Sequence, residues 1–521
     1  MTEQIEIQPD RLHEEMLRLH REQQMDFLED IIGMDWGDDG LGIVYLLESS
    51  ATGERVALKT RTVNRNSPEL PSVCDIWQAA NFKEREVYDY FGIQFINHPD
   101  MRRLFLREDW TGYPLRKDDD PTDARNPLRM DNEMPVDTTT ELRLNPDGTL
   151  SDEEKAIFDA EEYVINIGPQ HPATHGVLRF RVSLEGEIIR KIDVNCGYIH
   201  RGIEKMCESL TYPQTLALSD RLDYLGAHQN RHALCLCIEQ AMGLEVPQRV
   251  QYIRTIMDEL QRIDSHLLFY SCLCMDLGAL TAFFYGFRDR EKIIDIFEET
   301  CGGRLIMNYN TIGGVQADIH PNFVRRVKEF IPYLRGIIHE YHDVFTNNII
   351  ARQRLKGVGI LNRDTAISYG ATGGTGRASG WSCDVRRRMP YGVYEKAGFR
   401  EILYTEGDCL ARYMVRMDEI MESLRIIELL IDNIPEGEWQ VKAPKVVKLP
   451  VGAWYSAVEG SRGEMGVYIE SRGDKYPYRL HFRSTGLPLV SVIDDICRNS
   501  KIADLIAIGG TLDYVVPDID R

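Results

Sequence analysis

The sequence predicts an α+β protein with a small N-terminal α+β domain at 1–117, an acidic linker at 118–162 and a large, mainly helical domain at 163–521. That last part opens on a β hairpin and carries further β elements near the C-terminus. Three observations support this. Between residues 118 and 162 the chain is rich in Asp, Glu, Pro and Thr and poor in apolar residues, as in Asp118-Asp119-Asp120-Pro121 and Ser151-Asp152-Glu153-Glu154, which reads as a solvated tether. Residues 163–192 follow a strand, loop, strand, turn, strand order. Beyond them, apolar residues recur at three- and four-residue spacing over 221–242, 246–274, 288–301, 321–347 and 406–432, the period of core-facing helices.

Taken in order, an amphipathic helix is predicted over 11–29, strands over 42–47 and 54–60, and a helix over 76–91. At 521 residues the chain exceeds one typical domain. In the second domain, 177–184 alternates Leu178, Phe180 and Val182 with Arg179, Arg181 and Ser183, the period of a half-buried strand. The preceding loop, Gly168-Pro169-Gln170-His171-Pro172-Ala173-Thr174-His175-Gly176, therefore places two imidazoles at a hairpin tip. Pro172 disfavours a helical conformation at His171, which argues against two histidines gripping a metal from one helical turn. From these residues alone, a turn that merely satisfies backbone groups and a functional pair both stay open. Toward the C-terminus, 465–470 and 478–483 read as strands.

Composition narrows the function. There are 61 basic against 82 acidic residues, a formal charge of −21, which argues against a general nucleic-acid or anionic-lipid surface. No apolar run reaches the roughly 18 residues of a membrane span, and the N-terminus lacks the order of a signal peptide, so a cytoplasmic chain is expected. Eleven cysteines include no CxxC; the closest pairs, Cys235/Cys237 and Cys272/Cys274, lie in helical segments where an i,i+2 spacing diverges. The chain thus offers no cysteine framework for a zinc or iron-sulfur site of its own.

Three further segments stand out. Gly370-Ala371-Thr372-Gly373-Gly374-Thr375-Gly376-Arg377 fails the Walker A pattern, with Ala371 at the opening position and Arg377 at the Lys position; it reads as a flexible, closely packed loop. Asp220 to Tyr224 reads as a helix start, with Ser219 or Asp220 as cap and Asp223 in the first turn. Asp276 is a carboxylate in an apolar helical run, costly to bury without a donor such as His or Arg; beside a His it would raise the imidazole pKa.

The residues Glu84-Arg85-Glu86-Val87-Tyr88-Asp89-Tyr90-Phe91-Gly92-Ile93, then His98-Pro99 and Trp110 to Asp118, resemble the signature of the C subunit of respiratory complex I, the proton-translocating NADH-quinone oxidoreductase. The 168–176 loop, His200-Arg201-Gly202-Ile203-Glu204-Lys205, Asp220 to Tyr224, Asp276 to Phe284, and the ending at Asp520-Arg521 resemble the D subunit. Nearly the whole chain is covered. The D subunit is a relative of nickel-iron hydrogenase large subunits, and here Val515 and Asp518 stand where that family's cysteines would sit.

The resemblance implies a quinone headgroup site in an emptied metal cavity, with His175 and Tyr224 as its ligands and Asp276 as the partner of His175. Arg201 and Arg221 match arginines near an iron-sulfur cluster held by the B subunit. It further implies contact with the I subunit and with the membrane arm, including its H and A subunits, a place on the cytoplasmic face of the bacterial inner membrane, and menaquinone or ubiquinone as substrate. No metal or flavin is expected in this chain, and no nucleic-acid partner. The chemistry fits, because quinone carbonyl oxygens accept hydrogen bonds from a phenol and an imidazole. Many members carry a His where this chain has Ile306, and an Arg where it has Thr311; a weakly pH-dependent cluster potential is the expectation. The alternatives are a metal-binding hydrogenase-type large subunit and a non-catalytic assembly scaffold.

Overall fold

The computed structural model describes residues 4–119, 138–145, 148–151, 155–170, 176–442, 444 and 446–521. His171, His175 and much of the predicted linker lie outside the described residues. The N-terminal part is a four-stranded sheet in the order Gln4–Glu6, Arg55–Thr62, Leu41–Glu48, Phe27–Asp35, parallel in the first pair and antiparallel in the others. Helices Leu12–Glu22 and Ala80–Phe91 accompany it.

The first helix ends at Glu22, not at residue 29 as the periodicity predicts, and Phe27–Asp35 is a strand buried at every position. Both of its faces are covered. Phe27, Leu28 and Ile31 belong to the main core, whereas Ile32 and Met34 pack with Val44 and Leu46 of the neighbouring strand and with Tyr468 of the C-terminal sheet. A strand buried on both sides loses the alternation that marks a half-exposed one.

In the second part, strand Arg179–Glu185 pairs with Tyr163–Ile167 and Ile188–Asn195, in register at Phe180↔Ile167 and Val182↔Ile192, so the predicted hairpin forms. The helices Ala227–Met242, Gln248–Asp276, Leu280–Cys301, Phe323–Tyr341 and Cys409–Ile431 follow. The longest is Gln248–Asp276; its 29 residues span about 43 Å. Two predicted features are corrected. Asp220 ends the helix Tyr212–Ser219, and Asp223 caps a single 3₁₀ turn, Tyr224–Gly226, its carboxylate accepting the Leu225 N–H. Gly373–Ala378 is a short buried helix rather than a flexible loop. A Cβ on Gly373, whose φ is +70°, would lie 2.2 Å from the Arg462 carbonyl oxygen, so glycine permits that contact.

The described stretches of the predicted linker pack against both parts of the molecule. Thr140–Glu141 pairs with Lys155–Ala156; toward the second part Glu141 lies 3.4 Å from Lys191 and Arg181 donates to the Thr138 carbonyl at 2.7 Å, and toward the first the Met101 N–H donates to the Leu142 carbonyl at 2.6 Å.

A seam of buried charge joins the N-terminal sheet to the rest. Asp30 pairs with Lys83 and, at 2.9 Å, with His481 Nε2; His481 Nδ1 lies 3.0 Å from Glu204. Glu204 also takes Arg479 at 2.7 Å and the Arg521 Nε at 3.2 Å, while Arg521 reaches across to Glu86. Burial alone would depress the His481 pKa, but Glu204 and Asp30 outweigh it and raise the value. A raised imidazole pKa contributes stability in full below the ordinary value near ~6.5, and that contribution is lost as pH climbs through the folded-state value. Thermal denaturation at about pH 9 should therefore show a weaker fold than at about pH 6, and His481→Phe should shrink that difference. An unchanged difference in the variant would remove His481 as its source.

Candidate functional site

Tyr224 is placed by the 3₁₀ turn that leads into the helix Ala227–Met242, and Asp276 by the last residue of the long helix Gln248–Asp276. The two line one cavity of about 90 Å³, with Leu225, Leu268, Phe269, Cys272, Met275 and Val515 as its apolar and thiol walls. Its floor is charged. Arg462, at the tip of the two-residue turn between strands Val451–Gly460 and Gly463–Arg472, reaches Asp223 at 3.1 Å, the Ser265 hydroxyl at 2.9 Å and Asp513 at 3.1 Å. Arg416 approaches the other oxygen of Asp513 at 3.4 Å.

The hairpin tip that presents Arg462 is itself tied down. Arg262 donates to the Gly460 and Glu459 carbonyls at 3.0 and 2.8 Å, and Gln229 accepts the Ser461 N–H at 2.9 Å. Burial raises the Asp223 pKa, partly offset by Arg462. It also raises the Tyr224 phenol, so the proton stays on the oxygen at neutral pH. The Cys272 thiol is pushed up to about 11, chiefly by burial, which keeps it protonated and unreactive.

Tyr224 also faces an open groove of about 380 Å³, shared with Arg201, Arg221, Leu305, Ile306 and Pro517. Arg201 and Arg221 form no ion pair within 4.0 Å among the described residues, whereas the Arg521 side chain in the same groove is paired. The groove wall is thus a cationic surface on an apolar base. Ile306 is in that base, where the resemblance expects a titratable ring.

The structure brings Tyr224 together with Asp276 on one side and with Arg201 and Arg221 on the other. His175 lies outside the described residues, so its predicted pairing with Asp276 has no geometry here. Gly176, directly after it, packs on Val516: a Cβ there would come 2.4 Å from the valine side chain. The end of that loop therefore abuts the segment supplying Val515 and Pro517. Asp518 is buried, its carboxylate accepting from Ser484, Thr485 and the Gly486 N–H at 2.8–2.9 Å. Arg462 and Asp513 were not among the predicted site residues; no local pattern signals a contact between positions 239 residues apart such as Arg462 and Asp223.

Residues 5–125 match the family model for the 30 kDa subunit of the respiratory-chain NADH dehydrogenase, and residues 276–449 and 444–521 match that for its 49 kDa subunit. The NADH-quinone oxidoreductase C/D subunit of Bacteroides fragilis is 75% identical over 525 residues, covering 99% of each chain. The chain belongs to the NADH-quinone oxidoreductase C/D subunit family. The C/D subunit of Phocaeicola vulgatus is 72% identical over the full length of both chains, and the D subunit of Geobacillus kaustophilus is 43% identical over 69% of this chain and 98% of its own. As a C/D subunit it is a peripheral-arm component of respiratory complex I, a multisubunit oxidoreductase that acts on quinone. Membership favours this reading over the hydrogenase-type and scaffold alternatives. Among the described residues no helix is long and apolar enough to cross a membrane, which fits a peripheral subunit.

Proposed function

We propose that this C/D subunit forms the quinone headgroup site of its complex. The carrying observation is the double exposure of Tyr224, to a narrow cavity shared with Asp276 and to a cationic groove shared with Arg201 and Arg221. In this reading the quinone ring enters beside Tyr224, whose phenol donates to one carbonyl oxygen, while His175, oriented by Asp276, donates to the other. Arg201 and Arg221 face the iron-sulfur cluster of the B subunit, where positive charge favours the reduced form. Electrons thus arrive on one side of Tyr224 and quinone occupies the other.

The same reading places the I subunit and the membrane arm's H and A subunits as neighbours, the chain on the cytoplasmic face of the inner membrane, and menaquinone or ubiquinone as acceptor, with no metal or flavin bound by this chain. It treats 1–117 and 163–521 as the two domains and 118–162 as their linker. The apolar Ile306 in the groove fits a cluster potential with weak pH dependence. A photoreactive quinone analogue added to the complex should label peptides containing Tyr224 or Met275 and be displaced by excess quinone; displaceable labelling confined to other parts of the chain would overturn the assignment.

A further inference from the structure

Apart from the two spaces that Tyr224 lines, an open cleft of about 700 Å³ has walls that include His232, Glu239, Arg254, Tyr391 and Tyr455. At its buried floor His232 Nδ1 lies 2.7 Å from one oxygen of Asp258, and His228 Nδ1 lies 2.8 Å from the other. The two histidines are one turn apart on the helix Ala227–Met242, and His228 is four residues from Tyr224. With Nδ1 engaged, His232 has Nε2 left for the cleft, and His228 Nε2 is buried without a hydrogen-bond partner among the described residues.

The polar line continues on the long helix. One turn beyond Asp258, Gln261 donates to the carbonyl of Leu225, the residue after Tyr224, at 2.9 Å, and to Asp264 at 3.1 Å. Gln261 Oε1 is likewise buried and unpartnered among the described residues. Buried polar atoms of this kind are satisfied by internal water, which bridges gaps between side chains. Asp264 pairs with Arg290 at 3.0 Å, and burial lifts its pKa to about 6, so it can hold or release a proton near neutrality. Ser265, the residue after Asp264, accepts from Arg462 at 2.9 Å, and Arg462 lines the cavity that Tyr224 shares with Asp276.

We infer that His232, Asp258, His228, Gln261 and Asp264 form a proton relay that carries protons from the open cleft to Tyr224. It rests on the reading that Tyr224 protonates quinone. Reduction of a quinone to a quinol takes two electrons, which the complex draws from NADH, and two protons. A phenol that gives one of them is left as phenolate and must be recharged from water. The proton enters on His232 Nε2 and leaves from Nδ1 to the Asp258 oxygen it faces; the carboxyl group turns to present that proton to His228 Nδ1, and His228 releases one from Nε2 toward Gln261 and Asp264. An imidazole is suited to this because it accepts on one nitrogen and releases from the other. Arg254, paired with Glu239 at 2.7 Å, flanks the entrance with no net charge.

The test uses the assembled complex. His232→Ala should lower kcat for quinone reduction about tenfold with KM unchanged, and millimolar imidazole, which the cleft admits, should restore the rate. Asp264→Asn, beyond reach of the cleft, should show the same loss without rescue. A wild-type rate in either variant, or a loss in His232→Ala that imidazole does not restore, would overturn the relay. A wild-type rate in Tyr224→Phe would overturn the quinone-site reading instead, so the two failures are distinguishable.

Discussion

Tyr224→Phe, in the assembled complex, is expected to lower quinone reduction about 10²-fold while electron entry, measured upstream with an artificial acceptor, stays at the wild-type rate. The substitution removes one oxygen and leaves the ring, so the contacts that shape the cavity with Leu225, Cys272 and Met275 persist. What disappears is the single donor that both spaces share. Burial holds the phenol proton in place until charge develops on the quinone oxygen, and this makes the group a donor in the reduced state rather than a spectator in the oxidised one. The loss should fall on kcat more than on KM, because the hydrogen bond strengthens as the oxygen gains charge. Unchanged turnover in a correctly assembled variant would overturn Tyr224 as the quinone donor.

Arg377→Met is expected to have the largest effect on stability. The guanidinium is fully buried among Glu459 at 2.6 Å, Glu419 at 2.6 Å and Asp384 at 3.2 Å. Its loss is unequal among them. Asp384 keeps Arg386 at 2.7 Å and Glu419 keeps His266 at 2.8 Å, but Glu459 loses the cation nearest it. Burial already pushes Glu459 up to about 7, with Asp384 adding to the shift against the pull of Arg377. Breaking such a buried pair from one side costs about 3–5 kcal/mol, enough to deplete the subunit from membranes. The double variant Arg377→Met/Glu459→Gln should recover part of the lost melting temperature, since it removes the stranded charge. If the single variant melts like the wild type, the guanidinium is not the keystone of this cluster.

Periodicity was sufficient for the helices Gln248–Asp276 and Cys409–Ile431, where apolar residues keep the three- and four-residue spacing although most of each helix is buried, and for the hairpin at 163–195, whose strand Arg179–Glu185 alternates. It was insufficient for Phe27–Asp35, which has no exposed face, and for Gly373–Ala378, whose three glycines signal a loop although close packing holds them in a helix. The site divides in the same way. Tyr224 and Arg221 are neighbours in sequence and could be taken together from one motif. Arg462 enters from a hairpin tip far along the chain, and no spacing rule connects it to Asp223 or Asp513. The pair His228 and His232 shows helical spacing, but their shared Asp258 lies on another helix, so the arrangement exists only after folding.

The charged seam has a consequence for why two domains travel on one polypeptide. Asp30, Glu86 and the strand Phe27–Asp35 grip His481, Arg521 and the C-terminal sheet through contacts that do not involve the covalent tether. Two separate chains with these surfaces would have the same complementary faces to find each other. Joining them adds no contact to the seam; it replaces a bimolecular search by a local one, at an effective concentration set by tether length. Fusion therefore acts on supply and timing: each 49 kDa-type domain leaves the ribosome with its docking partner already attached, in a fixed one-to-one ratio.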